Sequence, residues 1–295
     1  MHVADAILGT GTKGPSEVEL PKRGVDSELR LMIVTNGNFF AWRIIRGLLS
    51  SLNTKAVGIL EISGDYSGRT GVRSLLWVAS KTTLPYLLYK IAVIGATKIG
   101  KWTKGKDGRS GARQGPESRA SVVRIADVKA AAFIGEFKPD VIVSISCPQR
   151  IPETVLGLAR ICAVNIHSSL LPRYAGLAPY YWVLANNEAK TGTTVHYMTA
   201  KFDEGRVLCQ RVVTIKNGQS AFSLFLTLAD EGGLALAEAL ASALNGFKGT
   251  EQILSARSYW SHPDWASYLR LRKNGFCLVR LRELLGLIRN QPDEK

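Results

Sequence analysis

The chain has 295 residues, 46% hydrophobic and 21% charged, and its 38 Lys or Arg against 24 Asp or Glu set a formal net charge of +14. That length and balance exclude a disordered or fibrous chain and allow one large core with a small appendage. The positive excess favours anionic partners without selecting one.

Residues 1–28 are polar and Gly-rich, lack a continuous apolar run, and read as a disordered extension with no signal peptide. Gly9-Thr10-Gly11-Thr12-Lys13-Gly14 there matches G-x-G-x-x-G. No strand precedes it and Pro15 follows, so it reads as a linker rather than a dinucleotide site. From residue 29, apolar runs alternate with helical patterns. Leu31–Val34 reads as the first strand, Asn36-Gly37-Asn38 as a turn and Phe39–Leu49 as the first helix. Lys55–Ile62 reads as a second strand, Val122–Ile125 as a third, Asp127–Phe137 as a helix and Asp140–Ser146 as a fourth strand. Arg160–Val164, small and β-branched, reads as the fifth. Ala178–Asn186 follows as a helix, then Gly192–Met198 and Arg206–Ile215 as strands. Helices at Ala221–Leu244, Pro263–Lys273 and Phe276–Arg289 end the series. This alternation implies an α/β, Rossmann-like fold: a mostly parallel sheet with helices on both faces, a basic helical insertion and a helical C-terminal tail. The expected division is an extension at 1–28, a main domain at 29–215 with an insertion at 63–120, and the tail at 216–295.

The insertion is the most unusual segment. Residues 62–113 hold ten Lys or Arg against two Asp, mixed with Leu75, Leu76, Trp77, Leu84, Tyr86, Leu88, Ile91, Ile94 and Trp102. The stretch Leu84–Gly100 is too short to span a membrane and carries Lys90 and Lys98. Three readings stand. Two helices pack on the core beneath a solvated basic loop at Lys101–Arg119; or residues 70–113 lie on an anionic membrane surface; or they contact RNA or a phosphorylated substrate.

The fifth strand runs into Asn165-Ile166-His167-Ser168-Ser169-Leu170-Leu171-Pro172. Asn165 and His167 thereby fall at a strand's carboxyl end, where ligands bind in open α/β sheets. A lone histidine there also suits a core residue beside an ordinary loop. The flanks add more. Asn165–Gly176 resembles a signature of the formyltransferases that use 10-formyltetrahydrofolate, and Thr194–Gly205, with Asp203 in Phe202-Asp203-Glu204-Gly205, resembles that family's second signature. Lys138–Val143 and Gln149-Arg150-Ile151-Pro152 extend the resemblance, which covers roughly residues 30–60 and 120–215.

The resemblance implies an N-formyltransferase, with 29–215 as its catalytic domain and Asn165, His167 and Asp203 as its catalytic residues. Formyl transfer creates a tetrahedral oxyanion and releases an amine proton, which calls for an imidazolium and an amide at the oxygen and a carboxylate near the histidine. For the donor, 10-formyltetrahydrofolate, it implies Arg150 at the glutamate end, with Ile151, Pro152, Thr199, Ala200 and Phe202 around the pterin. Leu171, Pro172 and Gly176 would shape the loop over the site. Tyr180, Tyr181 and Trp182 read mainly as core, and His196 as structural rather than catalytic.

Branches of the family differ in readable ways. The loop Asn36-Gly37-Asn38-Phe39-Phe40-Ala41 lacks the Gly- and Ser-rich phosphate cradle of the glycinamide ribonucleotide branch, and Phe40-Ala41 is closer to the methionyl-tRNA and sugar branches. Methionyl-tRNA formyltransferases carry a C-terminal β-barrel, whereas this tail reads as helices, and Ser258-Tyr259-Trp260-Ser261 resembles tails of small-molecule formyltransferases. The expected acceptor is a small-molecule amine, an amino sugar or a biosynthetic intermediate, with methionyl-tRNA as the alternative and hydrolysis of formyltetrahydrofolate third. Cys147, Cys162, Cys209 and Cys277 are widely spaced with no C-x-x-C, which suits reduced thiols and a cytoplasmic location, peripheral to a membrane if the insertion binds lipid. Cys, His167, His196 and Asp203 lack metal-ligand spacing, so no metal is expected.

Overall fold

Strand β1 (Leu31–Thr35) is buried at every position, and its side chains divide by parity. Leu31 and Ile33 enter one apolar cluster, Met32 and Val34 another, as the two-residue period of a strand requires. A strand buried on both faces needs cover on both, so the sheet is the middle of three layers. The computed structural model describes residues 29–52, 54, 56–65, 67–106 and 118–289. The extension at 1–28 with its G-x-G-x-x-G and most of the basic loop after the insertion lie outside the described residues.

Strands β2 (Val57–Ile62) and β4 (Val141–Ile145) flank β1 in parallel. Outside them, also parallel, run β3 (Ser118–Val122) and β5 (Cys162–His167). Then β7 (Lys190–Tyr197) and β8 (Val207–Thr214) join antiparallel, completing the order β3-β2-β1-β4-β5-β7-β8. A separate two-stranded piece pairs β6 (Ala175–Gly176) with β9 (Tyr259–Trp260).

On one face lie α1 (Phe39–Ser51) and α7 (Ala221–Leu244), whose Ile45, Leu48, Leu236 and Leu240 share a cluster with Leu31, Val143 and Val164. Asn38 caps α1 by accepting the Ala41 N–H at 2.8 Å, and Ser220 caps α7 by accepting the Ser223 N–H at 2.9 Å. On the other face lie α4 (Val128–Phe137) and the one-turn α5 (Glu153–Leu156). The insertion forms α2 (Gly71–Lys81) and α3 (Leu84–Lys106). An aromatic cluster joins α3 to α6 (Pro179–Ala185), α8 (Trp265–Lys273) and α9 (Leu281–Arg289).

The fifth strand runs Cys162–His167 rather than Arg160–Val164, so Asn165 and His167 lie within it, and three further features depart from the sequence expectation. The third strand lies at Ser118–Val122, not Val122–Ile125. It is an edge strand whose side chains alternate between partly buried and exposed, so its apolar signal is weak, while buried Ile125 belongs to the turn after it, its N–H donated to Gln149 Oε1 at 3.0 Å. The last helix starts at Leu281 rather than Phe276, because the carbonyls of Cys277 and Leu278 accept the N–H groups of Ala221 and Phe222 and hold that segment along the start of α7. The tail is helical, but it also holds β9, a two-residue strand whose partner lies far away in sequence.

Candidate active site

The sheet register brings the two signatures together. β5 and β7 run antiparallel with Asn165 directly opposite His196, so the pair is a cross-strand contact. Asn165 Nδ2 donates to His196 Nε2 at 3.1 Å, and His196 Nδ1 donates to the Tyr197 carbonyl at 2.8 Å. A carbonyl only accepts, so His196 carries its proton on Nδ1 and leaves Nε2 free to accept. Burial pushes its pKa below the usual value, which keeps the ring neutral.

His167 sits two residues beyond Asn165 and on the same side of β5. Its Nε2 donates to the Tyr174 carbonyl at 2.9 Å, and its Nδ1 faces Asp203 Oδ1 at 3.6 Å. The same Asp203 oxygen lies 3.9 Å from His196 Nε2, while Asp203 Oδ2 accepts the Gly176 N–H at 3.1 Å. Asn165, His196, His167 and Asp203 thus form one connected group.

Asp203 is aimed by its turn. Its φ of 57° lies in the left-handed region, an uncommon conformation for a non-glycine residue. Gly205 is required two residues on, since a Cβ there would stand 1.7 Å from the Tyr197 carbonyl oxygen. Gln252 Nε2 donates to the carbonyls of Asp203 and Gly205 at 3.0 and 2.7 Å. Ser146 and Ala178 beside the same cleft also have positive φ, at 54° and 49°. Such strain concentrates where surrounding structure enforces it, commonly at functional sites.

These residues stand in a cleft of about 380 Å³. Asn165, His167 and Asp203 line it together with Arg150, Ile151, Thr199, Ala200 and Phe202. Arg150 and Phe202 are exposed, whereas Ile151 is buried. Pro152 is not on the lining; it precedes α5, and its carbonyl accepts the Val155 N–H at 2.9 Å. Tyr259 lines the cleft, while Trp260 beside it stacks over Tyr174. Cys147 also lines it, and burial pushes that thiol up to about 11, so it stays protonated near neutral pH. Among the described residues, no group of three His, Cys, Asp or Glu is placed to hold a metal ion.

Sequence reasoning missed Phe225 and Gln252. Phe225 stacks between Phe40 and Tyr180, with ring centroids 3.8 and 4.3 Å apart, and forms an aromatic wall of the cleft. Tyr180 is therefore both core and lining, and its hydroxyl meets that of Tyr86 on α3 at 2.9 Å. Phe225 reads as an ordinary apolar position of α7, and no local signal separates it from its neighbours. Gln252 lies in an irregular segment after α7, equally without signal.

Residues 101–240 match the family model described as formyl transferase. Over 111 residues the chain is 38% identical to a methionyl-tRNA formyltransferase of Levilactobacillus brevis, covering 38% of this chain and 35% of that protein. Over 127 residues it is 36% identical to a GDP-perosamine N-formyltransferase of Brucella melitensis, covering 43% of this chain and 49% of that protein. The chain thus spans half or less of these curated relatives. A sugar N-formyltransferase structure from Shewanella sp superposes with a TM-score of 0.50 at 18% identity, covering 79% of this chain and 76% of that one, a likeness of fold.

Proposed function

We propose that this chain, which carries a formyl transferase domain, transfers a formyl group from 10-formyltetrahydrofolate to the amine of a small acceptor. The observation that carries the reading is the connected group Asn165, His196, His167 and Asp203 on the wall of one cleft. The donor supplies an activated formyl carbon bound to a nitrogen leaving group. As a neutral acceptor amine forms its new bond to that carbon, charge collects on the formyl oxygen. The second hydrogen of Asn165 Nδ2 donates to that charge, and His167, its Nε2–H held by the Tyr174 carbonyl, supplies positive charge beside it as an imidazolium facing Asp203. Asp203 receives the amine proton, directly or through water, and the donor nitrogen regains a proton as its bond to carbon breaks. His196 is a positioning residue: its neutral Nε2 fixes the amide of Asn165.

The cleft fits such a donor in size and character. Arg150, exposed beside it, suits the carboxylates of a glutamate tail. Ile151, Thr199, Ala200 and Phe202 would hold the pterin, with Pro152 setting the backbone behind Ile151. Free cysteines throughout the described residues suit a cytoplasmic location.

For the acceptor, the start of α1 argues against a phosphate at that end. Asn38 already occupies the cap, and the Glu61 carboxylate lies against the turn, where a Cβ on Gly37 would come within 3.0 Å of Glu61 Cδ. That carboxylate is ion-paired with Arg119 Nη2 at 2.5 Å, so the local charge is balanced, and with the Ala41 N–H taken by Asn38 this helix end offers fewer free donors to an anion. An amino sugar, or another amine without a phosphate at this position, is the favoured class. Methionyl-tRNA is the second reading, supported by the similarity over 111 residues and by the net charge of +14.

The test is a side-by-side assay of folate turnover, with equal donor, charged initiator tRNA in one arm and a panel of amino-sugar nucleotides in the other. Turnover on the panel is expected. Efficient formyl-methionyl-tRNA formation with a silent panel would reverse the acceptor assignment, and formate release without any acceptor would point to hydrolysis.

A further inference from the structure

Helix α3 is apolar on two opposite sides. Tyr86, Tyr89, Val93 and Ala96 face the aromatic cluster at the three- and four-residue spacing of one helix face. Leu84, Leu88, Ile91 and Trp102 line the other side and are exposed, Leu88 by 54% and Trp102 by 63%. Leu88 follows Tyr86 by two residues, about 200° around a helix. A packed surface helix ordinarily shows polar residues there.

The neighbouring helices add to this exposure. α2 buries none of its side chains and presents Val72, Leu75 and Leu76. Its end is fixed where Thr82 Oγ1 donates to the Pro263 carbonyl at 3.0 Å and Trp77 meets His262 edge-on. α9 packs against α3 and exposes Leu281 and Leu285. Of 21 large apolar side chains exposed among the described residues, nine lie on α2 and α3, so the exposure is concentrated, as at an interaction site. Charge narrows the partner. α2 and α3 together contain seven Lys or Arg and no Asp or Glu, and Arg73, Lys98 and Lys101 are exposed among the apolar residues.

We infer that α2 and α3 dock this protein on an anionic lipid surface. Exposed Leu, Ile, Val and Trp side chains enter the headgroup region, while Lys and Arg meet lipid phosphates and carboxylates. The helices lie on the surface, since no helix among the described residues is long and apolar enough to cross a membrane. A second copy of the chain is a poorer occupant, because a self-complementary interface would bring like charges together. RNA rewards the charge but gives Leu, Ile and Val nothing apolar to enter. The inference stands apart from formyl transfer, and vesicle binding is measured without donor or acceptor, so either can fail alone.

The experiment is sedimentation of the full chain with vesicles of phosphatidylcholine, alone or mixed with phosphatidylserine, at low and high salt. Binding is expected to be at least ~10-fold stronger on the mixed vesicles and to weaken with salt. Leu88→Glu/Ile91→Glu should abolish it, and Arg73→Glu/Lys98→Glu should weaken it at least ~10-fold. Both variants alter exposed positions, so unchanged circular dichroism and melting are expected. The inference is overturned by equal recovery on the two vesicle types, by undiminished binding of Leu88→Glu/Ile91→Glu, or by a dimer in solution that this variant dissociates. Binding to RNA, retained by Leu88→Glu/Ile91→Glu, with no binding to vesicles would equally overturn it.

Discussion

The hydrogen bond from Asn165 Nδ2 to His196 Nε2 exists only while His196 keeps that nitrogen unprotonated. Burial lowers the pKa of His196 from its usual value near 6.5. Below about pH 6.5 the unfolded chain therefore takes up this proton more readily than the folded one. The stability owed to neutral His196 is complete above that pH and is lost as the pH falls toward the lowered folded value. His262, lowered by burial and by nearby Lys81, contributes with the same sign. Thermal melts should thus fall on acidification below pH ~6.5, with a slope shallower in His196→Gln by up to ~1.4 kcal/mol per pH unit. A gap between the two proteins that stays constant with pH would refute this. The catalytic proposal predicts that Asn165→Ala, His167→Ala and Asp203→Ala each cut turnover ~100-fold or more with little change in melting. Near-wild-type turnover by His167→Ala would remove the mechanism. Asn165 and His167 are legible in the sequence because, besides lying at the end of one strand, they fall in a segment that resembles a family signature. The link from Asn165 to His196 is not, since it depends on which strands become neighbours.

Among the elements, α7 shows how a segment with a plain helical pattern becomes part of the site. It crosses α1 where Gly47 and Gly233 touch, and a Cβ on Gly233 would lie 2.8 Å from Gly47 Cα. This close approach seats α7 on the sheet and brings Phe225 onto Phe40 and Tyr180. Gly233→Ala should destabilise the fold by ~1–3 kcal/mol, because the clash is with backbone that cannot turn aside. Gly286→Ala in α9 meets nothing within 4 Å and should be neutral or stabilising by up to ~1 kcal/mol through helix propensity. Urea unfolding of the two variants measures both, and equal midpoints would show that the crossing tolerates a methyl group. The bounds of α7, Ala221–Leu244, match the apolar pattern of the sequence at both ends. β3 escapes the apolar pattern because its alternation is half polar and the nearest buried apolar side chain after it, Ile125, belongs to a turn.

Across the whole molecule, the residues after 215 are not peripheral to the sheet. α7 covers one face of it, Gln252 holds the Asp203 turn, and Tyr259 closes one side of the cleft. A fragment ending at Ile215 would expose the side chains that α7 covers, and it should lack a cooperative urea transition and bind a hydrophobic dye. A sharp transition near the full-length midpoint would show that the sheet folds without α7. Restoring α7 but ending before Gln252 should return cooperativity while leaving turnover depressed, because the turn carrying Asp203 loses both hydrogen bonds from Gln252 Nε2.

What the sequence determined by itself is what repeats locally or carries chemistry in a fixed order. The apolar run Leu31–Val34 read as a strand, the alternation of strands with helices implied a sheet covered on both faces, and the resemblance to two family signatures singled out Asn165, His167 and Asp203 before any contact was known. Composition showed that the insertion is basic and apolar together, but not which side chains would remain outside. Only the tertiary structure decided that Tyr86 turns inward and Leu88 outward, that His196 opposes Asn165, that Phe225 and Tyr259 reach the cleft, and that Gln252 holds the Asp203 turn. The physical reason is range. Period, capping and turn chemistry act within a few residues, whereas strand order, helix crossings and cross-strand pairs are set by packing between segments far apart in the chain, which a linear pattern does not encode.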